Sequence, residues 1–220
     1  KVSGSGDGGR IVKSDIDNFK PAAASAPGET APVAKAAGGG GEVPRGFKET
    51  SVSQMRKVIA KRLAESKFSA PHFYLTMAID MDAAVAGRAK MNETSKVKIS
   101  FNDMVLKACA VALKQHPAVN SSWLGDKIRT NYDINIGVAV AVEDGLLVPV
   151  VRAADTKSLS EIGVEVKNFA QKAKDKKLQP ADWEGNTFTI SNLGMFGIDE
   201  FTAIINPPDA CILAVGGISQ

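Results

Sequence analysis

Thr187-Phe188-Thr189-Ile190-Ser191-Asn192-Leu193-Gly194-Met195-Phe196-Gly197, followed by Ile205-Asn206-Pro207-Pro208-Asp209-Ala210-Cys211-Ile212-Leu213-Ala214-Val215-Gly216, decides how this chain folds. Each stretch holds a short apolar or β-branched run bounded by turn-forming residues, which predicts strands over 186–191 and 210–216. Ser191 stands at the end of the first strand, before Asn192-Leu193-Gly194. Read by itself, it is a turn hydroxyl bonding nearby backbone.

Working outward, Ile134, Ile136, Val138, Val140 and Val142 alternate with smaller or polar residues, and Glu143-Asp144-Gly145 turns the chain into an apolar run over 146–151. That is the signature of a β-hairpin, with Pro149 confining part of the second strand to an edge or a bulge because it has no N–H to donate. Ser158-Leu159-Ser160-Glu161 fits a capping box, and Ile162, Val166, Phe169 and Ala173 carry a helix over 158–175 whose Lys-rich end complements its dipole. Met55, Val58, Ile59 and Leu63 predict an amphipathic helix over 53–67 with Ser53 as N-cap, broken by Pro71. Residues 72–81 then alternate, with Phe73, Leu75, Met77, Ile79 and Met81 on one face, as a half-buried strand does. A helix from Asp82 follows, and Ser100-Phe101-Asn102-Asp103 caps a further one through Val105, Leu106, Cys109 and Leu113, ending at Pro117. Hairpins mixed with helices predict an α/β or α+β layered fold rather than a doubly wound one.

Composition narrows the function classes. The 220 residues are 44% hydrophobic and 23% charged, enough for one good core plus an extra segment. The longest apolar runs, 137–142 and 145–151, fall well short of the ~20 residues of a membrane-spanning helix. A net charge of +3, with basic residues scattered among acidic neighbours, gives little support to nucleic-acid binding. Cys109 and Cys211 read as two buried free thiols of a reducing compartment, with a disulfide or metal site as the alternative. The chain opens Lys1-Val2-Ser3-Gly4, an internal cut to judge by the missing initiator Met, and no secretory leader is expected. Residues 20–45 are almost entirely Ala, Pro, Gly, Glu, Thr and Lys, a linker composition that buries too little apolar surface to offset ordering. Gly4-Ser5-Gly6-Asp7-Gly8-Gly9 satisfies a dinucleotide-binding pattern, but no strand precedes it and no βαβ unit surrounds it.

The two opening stretches resemble the catalytic domain of the dihydrolipoyl acyltransferases, the core enzymes of the 2-oxoacid dehydrogenase complexes, over nearly all of 46–220. Residues 1–19, with Gly9-Arg10-Ile11 and Asp15-Ile16, resemble the second half of the peripheral subunit-binding domain found upstream in that family. The resemblance implies a chloramphenicol-acetyltransferase-like two-layer α/β sandwich with a mixed sheet, built as trimers that assemble into a hollow cage. It implies acyl transfer from an S-acyldihydrolipoyl lysine, carried on a separate lipoyl domain, to coenzyme A, without a metal. Leu193-Gly194-Met195-Phe196-Gly197 and 143–149 look more like the acetyl branch, that of the pyruvate dehydrogenase complex, than the succinyl or branched-chain ones. The implied partners are the pyruvate decarboxylase component and dihydrolipoyl dehydrogenase; the implied compartment is bacterial cytoplasm or, in a eukaryote, the mitochondrial matrix.

Residue by residue, the resemblance makes Ser191 the donor to the oxyanion of the transfer intermediate. Arg56 becomes the site-ordering partner of an Asp in a His-x-x-x-Asp-Gly motif, and Arg10 a contact to a partner subunit. The family's base is the histidine of that motif, which is expected beyond Gln220; the two histidines present, His72 and His116, are not expected to replace it. His116 reads as a helix-end residue. Three alternatives stand beside acetyl transfer: a catalytically silent scaffold or binding core of the same fold, an acyltransferase of the succinyl or branched-chain branch, and an antibiotic acetyltransferase, which the linker and the subunit-binding remnant disfavour.

Overall fold

The computed structural model describes residues 46–142 and 145–219; the segments 1–19 and 20–45, with Arg10, lie outside the described residues. Chain order gives helices α1 (Gln54–Ser69), α2 (Asp82–Thr94) and α3 (Phe101–Gln115), then strands β1 (Ser121–Trp123), β2 (Ile128–Thr130), β3 (Ile136–Val138), β4 (Val140–Val142), β5 (Gly145–Leu147) and β6 (Val150–Val151). Helices α4 (Leu159–Lys174) and α5 (Pro180–Trp183), strand β7 (Phe188–Asn192), a single 3-10 turn (Gly194–Phe196) and strand β8 (Ile212–Val215) follow.

The central sheet is mixed, in the order β6-β3-β7-β8: β3 runs antiparallel to β6 and parallel to β7, and β7 runs parallel to β8. Parallel neighbours need both faces covered, and β3 is accordingly buried at all three positions. The expected hairpin is present as β4 paired with β5, Val142 opposite Gly145. Pro149 lies in the break between β5 and β6, where its carbonyl accepts from the Val138 N–H at 2.8 Å, and β6 is an edge strand. A second ribbon, β1–β2, is closed by Asn120, a fully buried side chain whose amide donates to the carbonyls of Asn131 and Asp133 at 2.8 and 3.0 Å.

Helices α3 and α4 form the second layer. Both begin with complete capping boxes, at Ser100 with Asp103 and at Ser158 with Glu161. Leu106, Ala110 and Leu113 of α3 meet Ile162, Phe169 and Ala173 of α4, and together they cover Ile136, Val138, Val151, Phe188 and Ile190 of the sheet. Full burial of an aliphatic side chain such as Leu106 or Ile162 contributes about 2 to 3 kcal/mol. The Lys107 ammonium ties α3 to the segment before α4 by donating to the carbonyls of Asp155 and Lys157 at 2.7 and 2.6 Å.

Two expectations need correction. Residues 72–81 form no strand: Phe73, Leu75, Met77 and Ile79 are 82, 83, 82 and 74% exposed. Their alternation is real, but no strand of the described chain runs beside them to complete a ladder, and a strand exists only by pairing. The segment is held instead by side chains, Thr76 Oγ1 donating to Glu200 at 2.8 Å and Lys67 bonding the Tyr74 hydroxyl. Helix α1 forms with Ser53 as its cap, but its apolar stripe is only partly covered, Met55 and Val58 being exposed.

Candidate active site

Ser191 occupies the fourth position of β7, opposite Ala214 of β8. Side chains alternate along a strand, so Phe188 and Ile190 enter the helix-covered core while Thr189 and Ser191 face the other way. Ser191 is half-buried, and its hydroxyl makes no hydrogen bond among the described residues. The turn duty that a serine here would ordinarily perform falls to its neighbour: Asn192 Oδ1 accepts from the Gly194 N–H at 3.0 Å, and its amide donates to Asn102 Oδ1 of α3 at 3.1 Å. The Ser191 hydroxyl is thus left available to an exogenous acceptor.

Close backbone approach fixes the ground around it. A Cβ on Gly194 would lie 2.5 Å from the Gly216 carbonyl oxygen, and one on Gly216 would lie 1.8 Å from that of Asp199. The segment after the 3-10 turn therefore runs in direct backbone contact with the chain that leaves β8, where Gly217 N donates to Ile198 O at 2.8 Å.

From there the chain returns as a strap over 198–211. Helix α1 and the residues after it clasp the strap: Ser66 Oγ donates to the Ile205 carbonyl at 2.6 Å and Arg62 to that of Pro207 at 3.3 Å. His72 completes the clasp. Its Nε2 accepts from the Ile205 N–H at 3.2 Å, which places the ring proton on Nδ1, 2.7 Å from the Ala70 carbonyl. The lone pair a general base needs is thereby already used by backbone. His116 caps the C-terminus of α3 and is exposed. Arg56 sits in the first turn of α1 with an exposed side chain, its backbone N–H bonded to Ser53 Oγ at 3.3 Å.

A buried polar group beside β7 went unread in the sequence. Asp209, only 5% exposed, accepts through Oδ2 from Thr189 Oγ1 at 2.7 Å and from Asn186 Nδ2 at 2.6 Å. Its Oδ1 is buried and has no partner among the described residues. Burial pushes this carboxyl up to about 6, against the opposing pull of the two hydrogen bonds. A signal was present in an acidic residue set directly before the apolar run 210–215. Asn120 and Asn135 prove to be structural ties; Asn135 accepts from Ala153 N at 3.0 Å and donates to the Gly185 carbonyl at 3.2 Å.

Both cysteines are free, and burial pushes the Cys109 thiol up to about 11, the inert form of the group. Among the described residues no three His, Cys, Asp or Glu side chains gather where they could hold a metal ion, and no helix is long and apolar enough to cross a membrane.

Comparison with known proteins fits this arrangement. The family described as 2-oxoacid dehydrogenases acyltransferase (catalytic domain) matches residues 44–220. The mitochondrial dihydrolipoyllysine-residue acetyltransferase component of the pyruvate dehydrogenase complex of Schizosaccharomyces pombe is 46% identical over 224 residues, covering 98% of this chain; the chain spans 46% of that relative's length. Among solved structures, the dihydrolipoamide acetyltransferase of Azotobacter vinelandii superposes with a TM-score of 0.76 at 35% identity, over 79% of this chain and 74% of that one. It is the subject of crystallographic and enzymatic work on a serine, a histidine and an asparagine in its catalytic mechanism. A structure described as the cubic core of the pyruvate dehydrogenase multienzyme complex matches with the same score, identity and coverage. The layered mixed-sheet fold read from the sequence is the fold of these acyltransferase cores. On the family match across 44–220 and the identity across nearly its whole length, the chain belongs to the 2-oxoacid dehydrogenase acyltransferases.

Proposed function

We propose that this chain is the catalytic core portion of a dihydrolipoyl acetyltransferase, which passes an acetyl group from S-acetyldihydrolipoyl lysine to coenzyme A. The observation that carries the reading is the Ser191 hydroxyl, presented at the end of a strand pinned on both sides and unclaimed by its own turn. In thioester exchange the coenzyme A thiol gives up its proton and the thiolate attacks the acetyl carbonyl carbon. The carbonyl oxygen takes the negative charge, and collapse of the tetrahedral centre expels the dihydrolipoyl sulfur, which is reprotonated. A hydroxyl fixed beside the developing oxyanion contributes ~3 kcal/mol.

Neither histidine of the chain serves as the base on this reading, since His72 is held by backbone at both nitrogens and His116 caps a helix. The base belongs to a His-x-x-x-Asp-Gly motif, which residues 1–220 do not contain. Arg56 orders that motif's Asp. That a serine and a histidine are among the residues investigated in the catalytic mechanism of the Azotobacter enzyme supports a site built from these two residue types. The lipoyl group arrives on a separate domain, and residues 1–19 with Arg10 form part of a module that holds the decarboxylase and dehydrogenase components, joined to the core by the linker 20–45. Trimers assembling into a cage are supported by the exposed apolar row Phe73, Leu75, Met77 and Ile79, which a neighbouring subunit would cover, and by the cubic core seen for a relative. The compartment is the mitochondrial matrix in a eukaryote, which the word mitochondrial in the name of the Schizosaccharomyces relative supports, and the cytoplasm in a bacterium.

The test is Ser191→Ala in the full-length protein, with acetyl, succinyl and isobutyryl donors compared on the parent. Turnover is expected to fall about a hundredfold or more with the acetyl donor preferred. A loss of less than tenfold removes the oxyanion role. A parent that assembles but transfers no acyl group leaves a scaffold instead.

A further inference from the structure

The carboxyl of Asp209 is set where charge is costly, and nothing in the transfer reaction described above uses it. It is only 5% exposed, one of its oxygens has no partner among the described residues, and burial raises its ionisation to about 6. A buried carboxyl with half of its acceptors unpartnered calls for an explanation. Here the other half spans β7: Oδ2 takes hydrogen bonds from Asn186 at 2.6 Å, just before the strand, and from Thr189 at 2.7 Å, in its second position. Asn186 Nδ2 also lies 3.3 Å from Thr189 Oγ1, which closes a three-residue network.

Thr189 and Ser191 project from the same face of β7, two residues apart. The ladders to β3 and β8 fix the strand's register, with Thr189 opposite Gly137 and Ile212. Tilt of that face is a separate matter: the Thr189 hydroxyl faces Gly137, where a Cβ would reach 3.4 Å from the hydroxyl oxygen and 2.7 Å from Val148 Cγ1. Asp209 is anchored in its turn. Its N–H bonds the Asn206 carbonyl at 3.0 Å, it forms an isolated bridge with Ser122, and Ala210 N donates to the Ser121 carbonyl at 3.1 Å.

We infer that Asp209 is a positioning residue for Ser191: by holding Thr189 from the anchored strap, it fixes the strand end from which the serine hydroxyl is presented. This rests on the acetyl-transfer reading above. Asp209 does not touch the reacting atoms; it acts through β7. Its titratable neighbour is Cys211 at the head of β8, whose thiol is pushed up by burial and by the Asp209 charge, while Thr189, Asn186 and Ser122 are uncharged. Ionised, Asp209 makes charge-assisted bonds, which are stronger than neutral ones. Protonation as pH falls through about 6 weakens the tie and with it the placement of Ser191.

The experiment measures kcat and KM for coenzyme A and S-acetyldihydrolipoamide in the full-length protein, for the parent, Asp209→Ala and Asp209→Asn, from pH 5.5 to 8. Asp209→Ala is expected to lower kcat about tenfold with both KM values little changed, the pattern of an interaction weakened in the transition state and not in the ground state. Asp209→Asn, which still offers an acceptor to Thr189 and Asn186, is expected to restore kcat to within about threefold and to lose one break, near pH 6, that the parent shows. An Asp209→Ala protein with parental kcat overturns the inference, as does an Asp209→Asn profile that keeps every break of the parent. Should Asp209→Ala fail to fold, the Asp209→Asn profile decides alone. A parent with no acetyl transfer overturns the functional reading and this inference with it, whereas an active parent indifferent to both substitutions overturns the inference only.

Discussion

Replacing Asp209 by Asn should change the sign of its effect on stability between acid and neutral pH. The carboxyl ionises near 3.8 when the chain is unfolded and near 6 when folded, so the folded state holds the proton more tightly. An acid raised in this way makes stability fall as pH rises between those values, because unfolding then releases a proton. Above about 6 the penalty is complete, at about 3 kcal/mol, since each factor of ten in acidity is worth about 1.4 kcal/mol. Near pH 4.5 it is only about 1 kcal/mol. An Asn amide carries no charge and keeps one acceptor for Thr189 and Asn186, but its N–H group meets the place where Oδ1 has no partner, at a cost of about 1 to 2 kcal/mol. The variant should therefore be more stable than the parent by about 1 to 2 kcal/mol at pH 7.5, and equal or slightly less stable at pH 4.5. Urea unfolding followed by far-UV circular dichroism at the two pH values, at one protein concentration to hold assembly constant, reads the difference directly. A stability difference between parent and variant that is the same at both pH values would refute the reasoning.

Two further perturbations probe the frame around the site. Gly216→Ala drives a Cβ to 1.8 Å from the Asp199 carbonyl oxygen and 2.8 Å from its carbon, backbone against backbone with no side chain to yield, so a loss of at least about 3 kcal/mol is expected in the urea midpoint. A substitution tolerated within 1 kcal/mol would mean that the strap does not lie on the end of β8. Lys107→Ala removes two ammonium donors from the Asp155 and Lys157 carbonyls and should cost about 2 kcal/mol, with earlier amide exchange in 155–158; unchanged exchange there would rule out the tether.

What could be read from the sequence was whatever local chemistry fixes. Ser100 with Asp103 and Ser158 with Glu161 are capping boxes in the sequence and in space, because such a box closes within four residues and needs nothing from elsewhere. The β4–β5 hairpin was legible for the same reason. The ribbon β1–β2 was not: its three-residue strands Ser121–Trp123 and Ile128–Thr130 have little apolar alternation, and it depends on the Asn120 amide reaching Asn131 and Asp133. Asp209 escaped for a related reason. A carboxylate beside two prolines reads as a turn residue, and only the return of the strap beside β7 turns it into the acceptor for Thr189. Ser191 could be located at a strand end by its neighbours, but that Asn192 and not Ser191 closes the turn is a matter of side-chain direction, which sequence spacing does not specify.

The segment 72–81 shows where a correct pattern yields a wrong element. Alternation with period two states that one face of an extended segment is to be covered; it does not state by what. Among the described residues the segment finds side-chain holds, His72 on Ile205 and Thr76 on Glu200 of the strap and Tyr74 on Lys67 of α1, and none of these supplies a ladder. Four apolar side chains, each more than 70% exposed, are left in a row along one side. Water does not favour such a row, and a monomer seldom keeps one without a use for it. A neighbouring subunit covering it would bury the same residues that the sequence assigned to a core face, so the prediction of burial and the exposure in the isolated chain are both met if the missing layer is another copy. The same His72 that starts this row clasps the strap that Asp209 closes at its far end, and any subunit seated on the row would bear through His72 and Ile205 on the segment that leads to Thr189 and Ser191. One strap of about a dozen residues thus carries both the contact to the start of the exposed row and the acceptor of Thr189.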